Sequence, residues 1–371
     1  MIRDVVFRPW SNDFQSKLRN DCNKILASPD VLVAADKTTN YYEVKVEDYN
    51  DLLQTNIQAE YRKAAVGEIA ADINEQKELV NKLDIEDRVM YTPPQPAYVT
   101  LKDHKTNFNN DPKCRLINPT KNEISKVSKQ ILSKVVNEVR SKTHLKLMKN
   151  TNSVINWFEE LMLKQDLVFI QFDIVDYYGS ISEKLFDEAL QWAKSVTSVS
   201  DDEIEVIMKS KVSLLSDAKD LWKKTKNGKF NIAMGSWDGA EATDICGLFL
   251  LSKLRHLNAD FVLYRDDGLA VSRLNPKQVE DMKKELHRIF KRYGLSITTD
   301  VNHKIVNFLD VTLNLNDGTV TPHKKENNTI MYVNKHSNHA PSHLNAIPQG
   351  VQSRLTRNST NEEIFKEAVK P

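Results

Sequence analysis

The sequence has few cysteines and no long apolar segment. Its 371 residues include three cysteines, Cys22, Cys114 and Cys246, and none of them stands in CxxC spacing. Isolated thiols argue against a zinc module and predict a reducing, intracellular compartment, with cytoplasm and nucleus equally open. No apolar run approaches the roughly 18 residues of a membrane span, and the N-terminus has no secretory hydrophobic segment. We therefore expect no membrane among the partners of this protein.

The chain also has almost no net charge. The formal net charge is +1 at pH 7, and the 40% hydrophobic and 28% charged residues are typical of a folded globular protein. Charge is nevertheless uneven, because residues 89–150 carry 12 Lys/Arg against 4 Asp/Glu, and residues 320–371 carry 7 against 4. Basic flanks around an acidic centre suit a protein that binds a phosphate backbone and holds metal. A solvated basic face explains the charge equally well.

Hydrophobic periodicity predicts a mixed α+β chain. The predicted helices cover residues 14–27, 57–83 (as one or two helices), 121–140, 182–195, 240–257 and 276–292. The predicted strands cover residues 31–35, 97–101, 115–117, 167–173, the hairpin 261–272, 295–299 and 307–315. The proline-rich segment 92–96 marks a boundary, since it cannot be helical. This order predicts an antiparallel sheet covered by helices on one face.

Three carboxylates stand at the ends of apolar strands. Asp266 and Asp267 lie at the turn of the 261–272 hairpin, and Asp173 follows the apolar run 168–172. Carboxylates in such places are costly unless a divalent cation neutralises them. Two Mg²⁺ ions, with Mn²⁺ as an alternative, would be held about 3.5–4 Å apart and would clamp a phosphoryl transfer. A solvated turn is the other explanation, but the trio favours a template-directed nucleic-acid polymerase.

The order of motifs resembles that of reverse transcriptases, with the signature Tyr-x-Asp-Asp at Tyr264–Asp267. The sequence around it is most similar to that of reverse transcriptases of mobile elements such as retrotransposons, including Penelope-like ones. The segments that carry this resemblance are Ala35–Thr38, Lys113–Pro119, Gly235–Ala240 and Asn307–Val311. It implies a right-hand polymerase fold and an RNA-directed DNA polymerase that extends a primer with dNTPs on an RNA or DNA template. Oligomeric state stays open.

The resemblance also predicts how the chain divides. The predicted regions are an N-terminal extension (1–91), the fingers (92–160), the palm (161–315, with fingers helices inserted near 200–233) and a connection leading into a thumb (316–371). A thumb normally adds several packed helices, so we expect it to be short or incomplete here, or the chain to be a piece of a polyprotein. No endonuclease, integrase or RNase H signature accompanies these motifs.

Roles for the acidic motif residues follow from the resemblance. Asp173 and Asp266 are expected to be the two main metal ligands, with Asp267 a nearby carboxylate of indirect role. Asp176 is expected beside the triphosphate. Tyr178 occupies the place of the aromatic gate that excludes a 2′-hydroxyl, although a core aromatic is the alternative.

Other roles concern glycines and basic residues. Gly179 stands where relatives often have proline, which predicts looser sugar discrimination. Arg115, with Lys102 as a second candidate, is expected to bind triphosphate oxygens, because a guanidinium binds them bidentately. Non-specific backbone contact is the alternative. Gly235 and Ser236 are expected to support the template and incoming base, the glycine letting nucleic acid approach closely.

A further lysine and two rival functions remain. Lys304 is a candidate general acid for pyrophosphate, with an ordinary surface lysine as the alternative. An RNA-directed RNA polymerase is disfavoured by Tyr178 and by the Tyr264–Asp267 turn, since such enzymes usually have a smaller gate and Gly-Asp-Asp. A degenerate polymerase fold that binds nucleic acid without synthesis is disfavoured by the intact acidic trio and favoured by Gly179 and the short thumb.

Overall fold

Helices make up the larger part of the described structure. The computed structural model describes residues 13–38, 40–89, 95–103, 107–108, 110–119, 123–212, 214–225, 230–324, 333, 339 and 341–370. The helices there are α1 (Asp13–Ala27), α2 (Val46–Glu60), α3 (Val66–Lys82), α4 (Glu123–Thr143), α5 (Thr151–Glu160), α6 (Tyr177–Ser180), α7 (Glu183–Val196), α8 (Asp201–Lys209), α9 (Gly239–Leu254), α10 (Pro276–Arg292), α11 (Pro341–Arg357) and α12 (Glu362–Val369). Across these residues no helix has both the length and the apolar character that a membrane crossing requires.

The strands are short and belong to several small sheets around one larger sheet. They are β1 (Val31–Ala34), β2 (Tyr41–Val44), β3 (Tyr61–Lys63), β4 (Tyr98–Leu101), β5 (Cys114–Ile117), β6 (Lys146–Leu147), β7 (Val168–Ile174), β8 (Leu215–Ser216), β9 (Leu221–Lys224), β10 (Asp260–Tyr264), β11 (Asp267–Ser272), β12 (Ile297–His303), β13 (Ile305–Phe308), β14 (Val311–Asn314) and β15 (Val320–Pro322). The predicted α+β class is confirmed, and so is the predicted hairpin of β4 and β5.

The central sheet has the strand order β12-β7-β11-β10-β6. Its neighbours are antiparallel except for β10 and the two-residue β6, which run parallel. Alternation along β7 directs Ile170, Phe172 and Ile174 into the main core with α4, α7, α9 and α10. Phe169 points the other way, into a second core with α5 and β13–β15. The expectation of helices on one face only was therefore wrong, since this second layer covers part of the opposite face.

Helix α10 shows how local signals determine an element. Asn275 accepts a hydrogen bond from Gln278 N at 3.0 Å and caps the first turn, and Pro276 occupies the first helical position. Gly294 follows the end with φ +76°, a conformation that few residues other than glycine adopt. The predicted bounds 276–292 are confirmed, because both ends are encoded within a few residues.

The segment predicted as one or two helices over 57–83 is different. Helix α2 ends at Glu60, and residues 61–63 form β3, which pairs with β9 in the register Tyr61↔Lys224. Strands β3, β9 and β8 make a sheet of their own. The predicted insertion near 200–233 contains helix α8 and the strands β8 and β9. At residues 61–63, tertiary pairing overrides a helical pattern.

Candidate active site

Two of the three carboxylates are direct neighbours across the central sheet. Asp173, the sixth residue of β7, pairs with Asp267, the first residue of β11. Side chains alternate along a strand, so both lie on the face of Phe169 and Leu269, away from the main core. The backbone of Asp266 is tied to the same place, because Ile174 N donates to its carbonyl oxygen at 2.9 Å. The sheet thus brings the predicted trio together.

The arginine next to Asp266 contacts helix α9. Tyr264 pairs with Asp267, which leaves Arg265 and Asp266 as a two-residue turn. Arg265 has φ +55°, in the left-handed region. Its guanidinium nitrogen Nη1 donates to Ala240 O at 2.6 Å and to Asp244 Oδ1 at 2.5 Å. Burial raises the pKa of the Asp244 carboxyl, and the charge of Arg265 opposes that shift.

Gly268 fixes the sheet beside Asp267. A Cβ at Gly268 would lie 2.0 Å from Cζ of Phe172, its partner across the sheet. The Phe172 ring is itself packed against Phe261 and Phe290 and cannot move aside without disturbing the core. The glycine that follows Asp267 is therefore required by packing.

A cleft of about 780 Å³ opens over this end of the sheet. Predicted site residues that line it are Asp173, Asp266, Asp176, Tyr178, Lys102 and Arg115. Three other predicted residues, Asp267, Gly235 and Ser236, do not line the cleft, although Met234 just before the last two does. The structure therefore brings together residues from the predicted palm and the predicted fingers.

Two adjacent tyrosines line the cleft and differ in burial. Tyr177 is 2% exposed, and its hydroxyl donates to Thr243 O at 2.9 Å. Burial raises the pKa of Tyr177 well above its ordinary value. Tyr178 is half-buried and its ring lies against Gly239, where a Cβ would be 3.6 Å from Cε1. Tyr177 is a member of the main core, and Tyr178 packs against that core from the cleft.

The absence of a side chain at position 179 has a structural reason. A Cβ at Gly179 would lie 2.3 Å from Oδ2 of Asp176, whose carboxylate sits over the short helix α6. Asp176 has φ +47°, and Ser180 N donates to its carbonyl oxygen at 2.9 Å. Glycine at position 179 therefore provides room for the Asp176 carboxylate.

The loop of Gly235 and Ser236 is shaped by the protein's own backbone. Gly235 has φ +111°, and a Cβ there would be 2.7 Å from Asn118 O. The close approach that requires glycine is thus to the Asn118 backbone. Asp238 anchors the loop from below, since it accepts from Ser210 Oγ at 2.8 Å and forms an ion pair with the buried Lys211. Burial lowers the pKa of Lys211, and Asp238 opposes that shift.

Arg115 has a partner that sequence reasoning missed. Its guanidinium lies 2.9 Å from Oδ1 of Asp36, whose side chain is 6% exposed. Strand β4 brings the two together, because Thr100 pairs with Arg115 and Leu101 bridges to Ala35 beside Asp36. Among the residues described, Asp36 Oδ2 has no hydrogen-bond partner. The motif around Asp36 was recognised, but nothing local indicated that it meets Arg115.

Lys224 was also missed. Its ammonium donates to Gly179 O at 3.3 Å and to Asn231 Oδ1 at 3.4 Å, and it lies 3.8 Å from Oε2 of Glu60. Asn231 in turn donates to the Tyr61 hydroxyl at 2.9 Å, and burial raises the pKa of Tyr61 to about 12. Lys224, Glu60, Tyr61 and Asn231 all line the cleft. Only the pairing of β3 with β9 places them there.

Lys304 lies at the wrong end of the sheet for pyrophosphate. Its ammonium donates to the carbonyl oxygens of Gln165 and Leu167 at 2.6 Å each. These residues precede β7, and Asp173 stands six residues beyond Leu167, roughly 20 Å along the strand. The alternative interpretation, an ordinary surface lysine, accounts for Lys304, since its contacts are structural.

The donor set at the acidic end of the sheet fits Mg²⁺. Over the described ranges, no three or more His, Cys, Asp or Glu side chains form a group that could hold a metal ion by themselves. Mg²⁺ is usually bound by one or two carboxylates together with substrate phosphates and water. Asp173 and Asp266, which both line the cleft, match that pattern.

Comparisons with known proteins agree on the fold. No family profile matches the chain, and no curated protein sequence matches it. The solved telomerase from Candida albicans, in complex with a fragment of telomeric RNA, matches with a TM-score of 0.61 and 12% identity over 94% of this chain and 63% of that one. The Candida tropicalis telomerase in a similar complex matches with a TM-score of 0.57 and 13% identity over 97% and 63%.

The chain spans less than two thirds of the length of these telomerase chains. A viral RNA-dependent RNA polymerase also matches, but its TM-score of 0.48 is too low for an argument. At these identities the likeness concerns the fold alone. The chain has the fold of right-hand polymerases, with an antiparallel palm-like sheet that carries the acidic trio.

Proposed function

We propose that the protein is a template-directed nucleotidyltransferase, an RNA-directed DNA polymerase that extends a primer with dNTPs. One observation carries the proposal. Asp173 and Asp266, which form the acidic wall, line the same cleft as Arg115 and Lys102, which form the basic wall, and Asp267 pairs with Asp173 in the sheet. Acidic groups for metal together with basic groups for phosphate are what a nucleoside triphosphate requires.

The residues of the cleft have separate roles in the proposed nucleotidyl transfer. Asp173 and Asp266 would hold Mg²⁺ ions, with Mn²⁺ as a substitute, and the bound metal would supply activation of the primer 3′-hydroxyl and neutralisation of charge on pyrophosphate. Arg115 and Lys102 bind the triphosphate, and Asp176 lies beside it. Asp267 supports the other two carboxylates. This division makes the acidic wall the place of bond formation and the basic wall the place of substrate capture.

Tyr178 selects the sugar in this proposal. It is half-buried and lines the cleft, and a ring there would exclude a 2′-hydroxyl. Wild-type protein should therefore favour dNTPs over rNTPs in a competition assay, and Tyr178→Ala should admit rNTPs. Unchanged rNTP use in that variant would remove the gate role and reopen RNA synthesis as the activity.

Template, primer and biological setting are further parts of the proposal. Gly235 and Ser236 lie next to the lining residue Met234, in a place to support the template strand and the incoming base. The basic segment 89–150 suits a nucleic-acid backbone. The motif resemblance supports the proposal that the chain is a reverse transcriptase of a mobile element, and the predicted fingers, palm and thumb boundaries belong to the same proposal.

The alternative is a polymerase fold that binds nucleic acid without synthesis. Within the described residues, no three or more His, Cys, Asp or Glu side chains form a group that could hold a metal ion by itself. This observation supports the alternative. In a working polymerase the substrate phosphates complete the metal shell, so binding of metal should depend on the triphosphate. A degenerate protein would bind primer–template, and the addition of Mg²⁺ and dNTPs would produce no extension of the primer.

Primer extension on an RNA template with dNTPs and Mg²⁺ tests the proposal. We expect extension by the wild type, loss in Asp266→Asn and retention in Asp281→Asn. The last is a matched control, because Asp281 is exposed on α10 and pairs only locally with Lys284. Primer–template binding, measured by fluorescence anisotropy, should be similar in all three. Binding without any wild-type extension would instead favour the degenerate alternative.

A further inference from the structure

An arginine stands directly beside the proposed metal ligand. Arg265 precedes Asp266, and their Cα atoms are about 3.8 Å apart across a trans peptide bond. A guanidinium on so long a side chain can reach the neighbouring carboxylates, and it would compete there with Mg²⁺ for the same oxygens. A cation at this position therefore needs a partner elsewhere.

Helix α9 supplies that partner. Arg265 Nη1 donates to Asp244 Oδ1 at 2.5 Å and to Ala240 O at 2.6 Å, with Thr243 Oγ1 at 3.5 Å. All three acceptors lie within one turn and a half of the helix. Neither Arg265 nor Asp244 lines the cleft, whereas Asp266 does. The guanidinium and the carboxylate of residues 265 and 266 are thus separated although the residues are adjacent.

Asp244 is well placed to hold the charge. Its side chain is 19% exposed, against 33% for Arg265, so the pair is only partly screened by water. Arg140 of α4 also acts on Asp244, and Arg140 itself donates to the carbonyl oxygen of Leu147 in β6. The Asp244 carboxylate is therefore in contact with Arg265, and the charge of Arg140 favours its ionised form as well.

We propose that Asp244 is a positioning residue that keeps the Arg265 guanidinium away from the metal-binding carboxylates. Without Asp244 the guanidinium pairs with Asp266 or Asp173 and weakens metal binding. This inference rests on the proposed function, because it concerns the same acidic site. It differs from a purely structural salt bridge in one respect: removing Arg265 alone should leave metal binding nearly unchanged, whereas removing Asp244 alone should weaken it.

Four variants test this difference. They are Asp244→Asn, Arg265→Met, the double variant Asp244→Asn/Arg265→Met and Glu241→Gln, a control whose carboxylate is on the same helix but faces Lys129 at 4.0 Å. Mn²⁺ affinity is measured by electron paramagnetic resonance of the free ion, with dNTP and primer–template present. The Mg²⁺ concentration for half-maximal extension is measured beside it, and thermal unfolding checks that each variant folds.

We expect Asp244→Asn to weaken Mn²⁺ binding and to raise the Mg²⁺ requirement by at least about threefold, the size of one partly exposed ion pair. Arg265→Met, the double variant and Glu241→Gln should stay within about twofold of the wild type, because none of them leaves an unpaired guanidinium beside Asp266. Equal metal affinity in Asp244→Asn and wild type would overturn the inference. So would a double variant as weak as Asp244→Asn.

The failure of the inference and the failure of the proposed function look different. If wild type has a Mn²⁺ site that Asp266→Asn loses, and Asp244→Asn keeps it, only the inference is wrong. If wild type has no Mn²⁺ site that depends on Asp266, the proposed function fails and the inference fails with it. Should Asp244→Asn not fold, Arg265→Met and the double variant still decide, because weakened Mn²⁺ binding in either contradicts competition by Arg265.

Discussion

The two walls of the cleft are built in different ways. On the acidic wall, Asp173 belongs to β7, where it pairs with Asp267, and the Asp266 backbone is hydrogen-bonded to β7. On the basic wall, Arg115 belongs to a two-stranded sheet, and within the described residues its side chain forms an ion pair with Asp36. The sheet of the first wall packs between the main core and the second core, whereas the second wall rests on a much smaller cluster around Val99 and Leu215.

This difference matches the demands of the proposed chemistry. Metal ions at a reacting phosphate tolerate little displacement, so their ligands benefit from a rigid sheet. A group that captures a triphosphate and lets pyrophosphate leave benefits from a contact that can be exchanged. A guanidinium with one carboxylate partner retains donors for phosphate oxygens. We therefore expect the acidic wall to be intolerant of change and the basic wall to be adjustable.

The largest effect should come from the acidic wall. Asp173→Asn keeps the shape of the side chain but removes the charge that binds metal, which should lower single-turnover extension by at least about 10³-fold. Primer–template affinity should stay near the wild-type value. Residual extension above a tenth of the wild-type rate would show that Asp173 is not a metal ligand.

On the basic wall, Arg115→Ala should raise KM for dNTP by about 10- to 100-fold, the loss of hydrogen bonds to a charged group worth about 1.5–3 kcal/mol. The kcat should change much less, because the acidic wall is intact. Arg115→Lys should recover part of the affinity, since lysine supplies a point charge without the fork geometry. An equal fall in kcat would instead place Arg115 at the transition state.

Rigidity of the acidic wall can be tested without activity. Gly268→Ala should lower the free energy of unfolding by about 1–3 kcal/mol, because the new methyl group meets the Phe172 ring in a filled core. Gly67→Ala is the matched control, since a Cβ there meets nothing within 4 Å. Urea unfolding of both variants measures the difference. Equal stability of the two variants would mean that the sheet beside Asp267 accommodates a methyl group at little cost.

The smallest effect should come from Asp36. Removing this carboxylate in Asp36→Ala leaves Arg115 without its anchor, and KM for dNTP should rise about three- to tenfold, in line with one hydrogen bond of about 0.5–1.5 kcal/mol. Steady-state kinetics with Arg115→Ala as reference gives the comparison. A lower KM would show that Asp36 competes with the triphosphate for Arg115 instead of orienting it.

Much of the acidic wall was predictable from neighbouring residues. The apolar run before Asp173 and the Asp-Asp-Gly turn carry their own signals of strand and hairpin, and the bounds of α10 follow from Asn275, Pro276 and Gly294. The basic wall was predictable only in part. The β4–β5 hairpin was expected, whereas the contact of Arg115 with Asp36 joins residues 79 positions apart.

Three features of the site depended on distant pairing and could not be predicted. Lys224 reaches the cleft through the strand pair Tyr61↔Lys224, which also interrupts a segment with a helical pattern. The Arg265–Asp244 contact needs α9 to pack against the hairpin turn. The Arg115–Asp36 contact needs strand β4 to pair with β5 and to bridge to Ala35.

Periodicity, caps and turn residues were enough for the fold class, most elements and the acidic trio, because those signals act over a few residues and are written into the chain. The pairing of charged side chains with one another was decided only by the packing of the sheets and helices. A side chain in the unfolded chain has no preferred distant partner, and the cost of leaving a charge buried and unpaired arises only in the folded protein. The partners of Arg115, Arg265 and Lys224 are therefore properties of the tertiary structure.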